Sequence, residues 1–382
     1  MTTNIKLVLK KLYSKYKEKY SYIPNVNKTK HKKNVLISYL TFPFIYRKNQ
    51  HTHEQESIAI AEVFDALEYN VDIYDCRTSI KIDYSKYDCI FGFGFPLTNS
   101  FYNNYRKNQK IIYYGTGMHI FYQNTATLSR VHEVFKKKGI LIPESGRVVP
   151  YTWSEQTSLV DAMILLGNNT VAETYKKYYS GPIFTQHTSY YERILLDDAL
   201  EKNWKQAQKH FLWFGSVGAI HKGLDLLLDI FPSLPEYHLH ICGLNPKEKR
   251  FTQAYKNELK SPNIHNHGFV NIYSQTYKNL IKTCAYVILP SCSEAQATSL
   301  INTICNGLIP VTTKYCGIDQ YDFIFPIKSL SASGIMSTMD DLKNISPEKC
   351  AQLAQDCLSY TRQQYSIESY KQELLKNLIH IL

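Results

Sequence analysis

Long apolar runs are missing from this 382-residue chain. The longest, such as Ala162-Met163-Ile164-Leu165-Leu166, are strand-sized and far short of the ~18 residues needed to cross a bilayer, so no membrane span is expected. The N-terminus lacks a continuous apolar stretch after its first charges, and the expectation is a chain without a secretory leader. No C-x-x-C pair occurs. The nine cysteines (76, 89, 242, 284, 292, 305, 316, 350, 357) are odd in number, which reads as reduced thiols of a cytosolic protein rather than a disulfide frame or zinc site. Asp-x-Asp is absent, so a metal-chelated nucleotide has no evident carboxylate pair. There is no G-x-S-x-G and no Walker G-K-[S/T], which removes the common hydrolase and P-loop signatures. His51 and His53 stand at i, i+2 without Cys or Asp support, so no metal site is expected there. What remains is an ordinary globular composition, 44% hydrophobic and 20% charged, and a length that fits two domains at ~100–200 residues each.

Acidic residues are scarce in one place. The first 50 residues hold twelve Lys/Arg against Glu18 alone, a surplus equal to the whole formal net charge of +11, and the rest of the chain is balanced. Within residues 5–20, Ile5, Val8, Leu9, Leu12, Tyr16 and Tyr20 recur at helical steps among six lysines. That pattern suits a helix lying on an anionic membrane, each basic group contributing ~1 kcal/mol. A solvated helix packed on its own domain fits it as well. No basic stripe continues into the body, and no nucleic-acid partner is expected.

From Asn34 onward strands and helices alternate. Strands are expected at 34–40, 71–74, 87–93, 110–114, 161–166 and 182–185, with helices near 54–69 and 170–179. A polar stretch, Tyr190 to Gln208, reads as a helical bridge. A second alternation follows: strands at 210–214, 237–242, 285–289 and 309–312, helices at 224–230 and about 299–306, and a helical tail from Ser346. This predicts an α/β protein of two doubly wound, Rossmann-like domains facing each other across a cleft. The expected divisions are a basic segment 1–33, an N-terminal domain 34–205, a C-terminal domain 206–345, and helices 346–382 returning toward the N-terminal domain.

Two segments of the second half carry chemistry. In Phe214-Gly215-Ser216-Val217-Gly218-Ala219-Ile220-His221-Lys222-Gly223, a strand ends in a glycine-containing loop and a lysine precedes a helix, an arrangement suited to phosphate. In Leu289-Pro290-Ser291-Cys292-Ser293-Glu294, running through Thr298 to Asn302, a strand ends, an acid follows and a helix begins. Amides at that start suit a diphosphate, and Glu294 suits sugar hydroxyls, although a capping or solvent-facing carboxylate is an equal reading of Glu294 alone.

Together these segments resemble the retaining "glycosyl transferases group 1" family of GT-B glycosyltransferases, which pairs a Gly-loop-Lys-Gly with P-S-x-x-E-x7-E. The order and separation agree over about Phe211 to Asp319, with Gly268-Phe269-Val270 similar to the family's G-x-V turn near the base. The resemblance is weaker over 34–189, where His119 follows a predicted strand. Two positions depart: Asn302 replaces the second glutamate, and Ser216 stands where an arginine is usual.

The resemblance implies a hexosyltransferase that moves a sugar from a nucleotide-diphosphate donor to a glycan or lipid-linked acceptor. It further implies retention of anomeric configuration, no cofactor beyond the nucleotide sugar, and no metal. Lys222, Glu294 and His119 are the implied catalytic residues. The implied donor site is Gly215, Ser216, Gly218, Lys222, Gly268, Phe269, Val270, Glu294, the Thr298, Ser299 and Leu300 amides, and Asn302. His51 and His53 are assigned to the acceptor. The setting expected is bacterial capsule, O-antigen or other surface polysaccharide assembly by a cytoplasmic enzyme, with residues 1–22 against the inner membrane. An epimerase on the same fold, or a non-catalytic sugar-binding subunit, are the competing readings.

Overall fold

The computed structural model describes residues 20–45, 52–103 and 108–382. Apart from Tyr20, the basic helix expected over 5–20 lies outside the described residues, as does His51. The first half builds one sheet from β1 (Tyr22–Ile23), β2 (Lys33–Tyr39), β3 (Tyr69–Asp75), β4 (Cys89–Gly92), β5 (Lys110–Gly115), β6 (Ala162–Leu166) and β7 (Ile183–Gln186), in the order β1-β3-β2-β4-β5-β6-β7. Every pairing is parallel except that of the edge strand β1. The central strands read as unbroken apolar runs because helices cover both faces; Val35, Leu36 and Ile37 are fully buried.

The second half builds β8 (His210–Phe214), β9 (His238–Cys242), β10 (Ile264–Gly268), β11 (Tyr286–Leu289), β12 (Ile309–Thr312) and β13 (Phe325–Pro326) into an all-parallel sheet. Its order is β10-β9-β8-β11-β12-β13. The chain order reverses between β8 and β11, and ligands of such sheets sit beyond the strand ends at that crevice. Phe214 and Leu289 end there, and the two motif-bearing loops follow them.

Three departures from the expected elements matter. A 19-residue helix, α1 (Ile120–Lys138), capped by His119 and Gly139, stands where the sequence pattern suggests none. Its buried face holds Thr127 and Arg130 beside Val131 and Val134, while Phe121, Leu128 and Phe135 are exposed, so the expected apolar stripe is scrambled. The segment 190–208 is mostly irregular, with only a short turn at Glu192–Ile194 and a four-residue helix at Trp204–Ala207. Its backbone bonds to side chains instead: Tyr191 and Leu196 amides to Asn302 and Asn306, and the Ile194 carbonyl to Asn306. Finally, Ile264–Gly268, where no strand is expected, is the edge strand β10, and Gly268-Phe269-Val270 leads out of it.

The tail divides between the halves. In α2 (Pro347–Gln364), Cys350, Leu353 and Cys357 join the core of the second sheet. In α3 (Ile367–Ile381), Tyr370, Leu374 and Leu378 join that of the first, and the Tyr370 hydroxyl meets the Tyr114 hydroxyl at 2.8 Å. Val131, Val134 and Ile142 likewise cross into the second core. All nine cysteines are buried free thiols. No helix among the described residues is long and apolar enough to cross a membrane.

Candidate active site

Beyond β8 the chain turns through Gly215–Gly223 into helix α4 (Leu224–Ile230). Gly223 has φ +69°, and a Cβ there would lie 2.2 Å from the Pro290 carbonyl oxygen. Only glycine lets the two loops meet this closely, and the meeting brings Lys222 to Glu294. Lys222 Nζ lies 2.5 Å from Glu294 Oε1, and both side chains are buried. Ser291 Oγ lies 3.2 Å from the same oxygen. The other carboxylate oxygen faces the first domain, where Arg147 Nη1 reaches it at 3.3 Å. Burial alone would raise the Glu294 carboxyl, but Lys222 foremost, then Arg147, hold it down at about 2. Glu294 is therefore a carboxylate clamped between two cations.

The glycine loop is held from behind. The Gly218 and Ala219 amides each donate to the buried Glu248 carboxylate at 2.9 Å. The Gly218 amide, expected to face a diphosphate, is thus engaged within the protein. Gly218 has φ +98°, and a Cβ there would lie 2.6 Å from Arg147 Cγ. On the other loop Ala297 opens helix α5 (Thr298–Ile304) without a side-chain cap. The Leu300 amide donates to the Ala297 carbonyl at 2.9 Å and its side chain is buried, which withdraws it from the expected diphosphate partners.

A cavity of about 260 Å³ lies between the domains at these loops. Gly215, Ser216, Lys222, Glu294, Thr298, Ser299, Asn302 and His53 line it, as do Arg147, Tyr191 and Gln123. His53 is lowered to about 4, by burial and then by Arg147, and is neutral at pH 7.

Besides Gly218 and Leu300, four expected residues do not line the cavity. His119 caps α1: its Nδ1 accepts the Phe121 amide, and its ring stacks on Tyr178 with centroids 4.2 Å apart. It is 2% exposed, and burial lowers it to about 4; its place is in an aromatic cluster rather than on the cavity wall. At the end of β10, Phe269 is 85% exposed, Val270 belongs to the core, and the Gly268 carbonyl accepts the Gly243 amide at 2.6 Å.

A second cavity of about 210 Å³ lies in the first domain and shares Thr116, Gly117, Gln123 and Arg147 with the first. Phe93, Met118, Trp153 and Tyr175 give it an aromatic and apolar wall. Among the described residues no cluster of three or more His, Cys, Asp or Glu is placed to hold a metal ion. Sequence reasoning missed Arg147 and Glu248. Neither sits in a motif, and only the fold brings them to the loops.

This architecture, two facing Rossmann-like domains, is that of the GT-B glycosyltransferases. Residues 197–321 match the model of the family described as "Glycosyl transferases group 1". The chain thus has the GT-B fold, and its residues 197–321 carry a domain that matches the group 1 glycosyltransferase model. Among solved structures it resembles a sucrose-phosphate synthase from Thermosynechococcus elongatus at 10% identity and TM-score 0.63, over 91% of this chain and 99% of that one. It also resembles HepE from Anabaena, solved with UDP and glucose, at 10% identity and TM-score 0.56 over the same shares. WaaG, a glycosyltransferase involved in lipopolysaccharide biosynthesis, aligns at 14% identity and TM-score 0.55 over 89% of this chain and 98% of that one. At these identities the likeness shows the fold. No curated protein sequence matches significantly.

Proposed function

We propose that the chain transfers a sugar from a nucleoside-diphosphate donor bound at the Lys222–Glu294 cavity to an acceptor bound in the second, aromatic cavity. The observation that carries this reading is the junction itself: the two cavities share one wall, and a cation of each domain stands beside it. In the reaction the bond between the anomeric carbon and the diphosphate breaks with its electron pair on the phosphate oxygen. The acceptor hydroxyl oxygen bonds that carbon, and its proton ends on the departing diphosphate. Cations fixed at the leaving group stabilise the charge as it develops, without reorganising at that moment.

Glu294 orients the sugar once the diphosphate draws the cations toward itself, and Lys222 stays at the leaving group. Aromatic faces such as Trp153 suit the apolar face of an acceptor sugar, which moves the acceptor assignment from His51 toward this cavity. The family resemblance supports retention, and the UDP in HepE makes UDP-sugars the first probes. The likeness to WaaG supports a surface-polysaccharide setting, and the lysine-rich residues 1–22 support attachment to anionic membrane.

The test is turnover of UDP-, GDP-, ADP- and dTDP-sugars with and without glycan acceptors. Sugar transfer only with acceptor supports the proposal. Isomerised donor without acceptor would identify an epimerase, and binding without turnover a non-catalytic subunit. Removal of residues 1–22 should release the protein from anionic vesicles while leaving transfer to a soluble acceptor intact.

A further inference from the structure

The diphosphate of a nucleotide sugar carries about two negative charges, yet among the described residues lining the cavity the second domain offers it a single cation, Lys222. Ser216 is neutral, the Gly218 and Ala219 amides are taken by Glu248, and the Leu300 amide by Ala297. Lys222 and Glu294 nearly cancel each other. We propose that Arg147, carried by the first domain, is the second cation on the donor diphosphate, in place of the guanidinium that the Ser216 position lacks. This rests on reading the first cavity as a nucleotide-sugar site.

The segment that carries Arg147 is held on both sides. Its own amide donates to Thr127 Oγ1 at 3.2 Å, and its carbonyl accepts Gln123 Nε2 at 2.9 Å. Two residues earlier, the Ser145 carbonyl receives the Ile220 and His221 amides at 3.1 Å each, which stitches the segment to the glycine loop. From there the side chain crosses the domain boundary over Gly218, where the absent Cβ leaves room for its stem. Glu294 touches one end of the fork through Nη1, and the side chain is 45% exposed to the cavity. The other N–H groups of the fork have no protein acceptor among the described residues. A planar fork held by its stem and aimed by a carboxylate is prepared for a bidentate phosphate contact. The same side chain borders both cavities, so the charge it places lies where the bond to the leaving group breaks.

The experiment is calorimetric titration with UDP, GDP, ADP and dTDP, followed by the parent nucleoside of the tightest binder. Arg147→Ala should weaken the diphosphate about 10- to 100-fold, as expected for one charge-assisted contact, and leave nucleoside affinity unchanged. Ser216→Arg in the Arg147→Ala background should recover most of the loss. Arg147→Gln, which keeps the stem over Gly218, gives the same comparison if truncation disturbs the fold. Equal diphosphate affinity in wild type and Arg147→Gln overturns the proposal, as does an equal loss for nucleoside and diphosphate. If the wild type binds none of the four diphosphates, the reading of the cavity itself has failed, a different result from an indifferent Arg147.

Discussion

Asn302 Oδ1 accepts the backbone N–H of Tyr191 at 3.2 Å, which ties helix α5 of the C-terminal half to the segment joining the halves. Asn302 is thus a structural tether as well as a cavity-lining residue, and its two duties separate experimentally. Asn302→Ala leaves the Tyr191 amide buried without an acceptor and should cost about 1–3 kcal/mol in urea denaturation. Asn302→Glu supplies a carboxylate oxygen at the same place, should keep most of that stability, and should bind a nucleoside diphosphate at least as well. A Glu variant as unstable as the Ala variant would mean that the tether depends on the amide shape.

Lys222→Ala should reduce kcat about 100- to 1000-fold, the range for one preorganised charge-stabilising contact, and, because it leaves the buried Glu294 with Arg147 alone, should also destabilise by up to about 3–5 kcal/mol. Stopped assays at saturating donor check this, and wild-type turnover would remove Lys222 from the leaving group.

Glu248→Ala leaves the Gly218 and Ala219 amides without their acceptor, at about 1–3 kcal/mol for each buried donor left unpaired. Thermal unfolding should show the loss. Nucleotide affinity tells whether the loop needs its carboxylate: a destabilised variant with unchanged affinity would limit Glu248 to the fold.

Arg130 in α1 and Asp225 in α4 form a buried ion pair between the halves. Asp225→Ala leaves the buried guanidinium only the exposed Glu133 of its own helix and should destabilise by up to about 3–5 kcal/mol. A loss below 1 kcal/mol in urea titration would mean that water reaches Arg130.

Five histidines share one face of β8, β9 and β10. His210 Nδ1 meets His240 Nε2 at 2.9 Å, and His240 Nδ1 meets His267 Nε2 at 3.1 Å, as does His238 Nδ1 with His265 Nε2. Burial first, then neighbouring imidazoles, lowers His240 to about 3 and His210 to about 4. Above the ordinary value of 6.5 both states are neutral and nothing is lost. Below it the unfolded chain takes up protons that the folded one refuses, so stability should fall between about pH 6.5 and pH 4. Urea midpoints at pH 7.5, 6 and 5 should decline in that order, and less steeply in His240→Gln. A flat profile would mean that the imidazoles are charged in the fold.

The alternating strands were legible because each is a short apolar run bounded by polar turns, and His210–Phe214, Leu224–Ile230 and Ile309–Thr312 fall where the pattern puts them. The Lys222 and Glu294 loops were legible because their spacing is local. Helix α1 was not, since its inward face carries Thr127 and Arg130, whose partners His221 and Asp225 belong to the other half. Arg147 and Glu248 escaped for the same reason: each acts on a loop remote in sequence. His119 follows a strand end as expected, but the aromatic rings of Tyr175 and Tyr178 hold its imidazole away from the cavity.

The return of α3 to the first sheet sets an order on biosynthesis. Tyr114, Phe64 and Val35 emerge early in translation, yet Tyr370, Leu374 and Leu378, which complete their core, are synthesised only after the whole second domain. The first half therefore waits with part of its apolar surface uncovered while the second half is made and folds. During that interval it presents a surface suited to chaperones or to a neighbouring nascent chain, and premature termination after α2 would leave that surface uncovered for good.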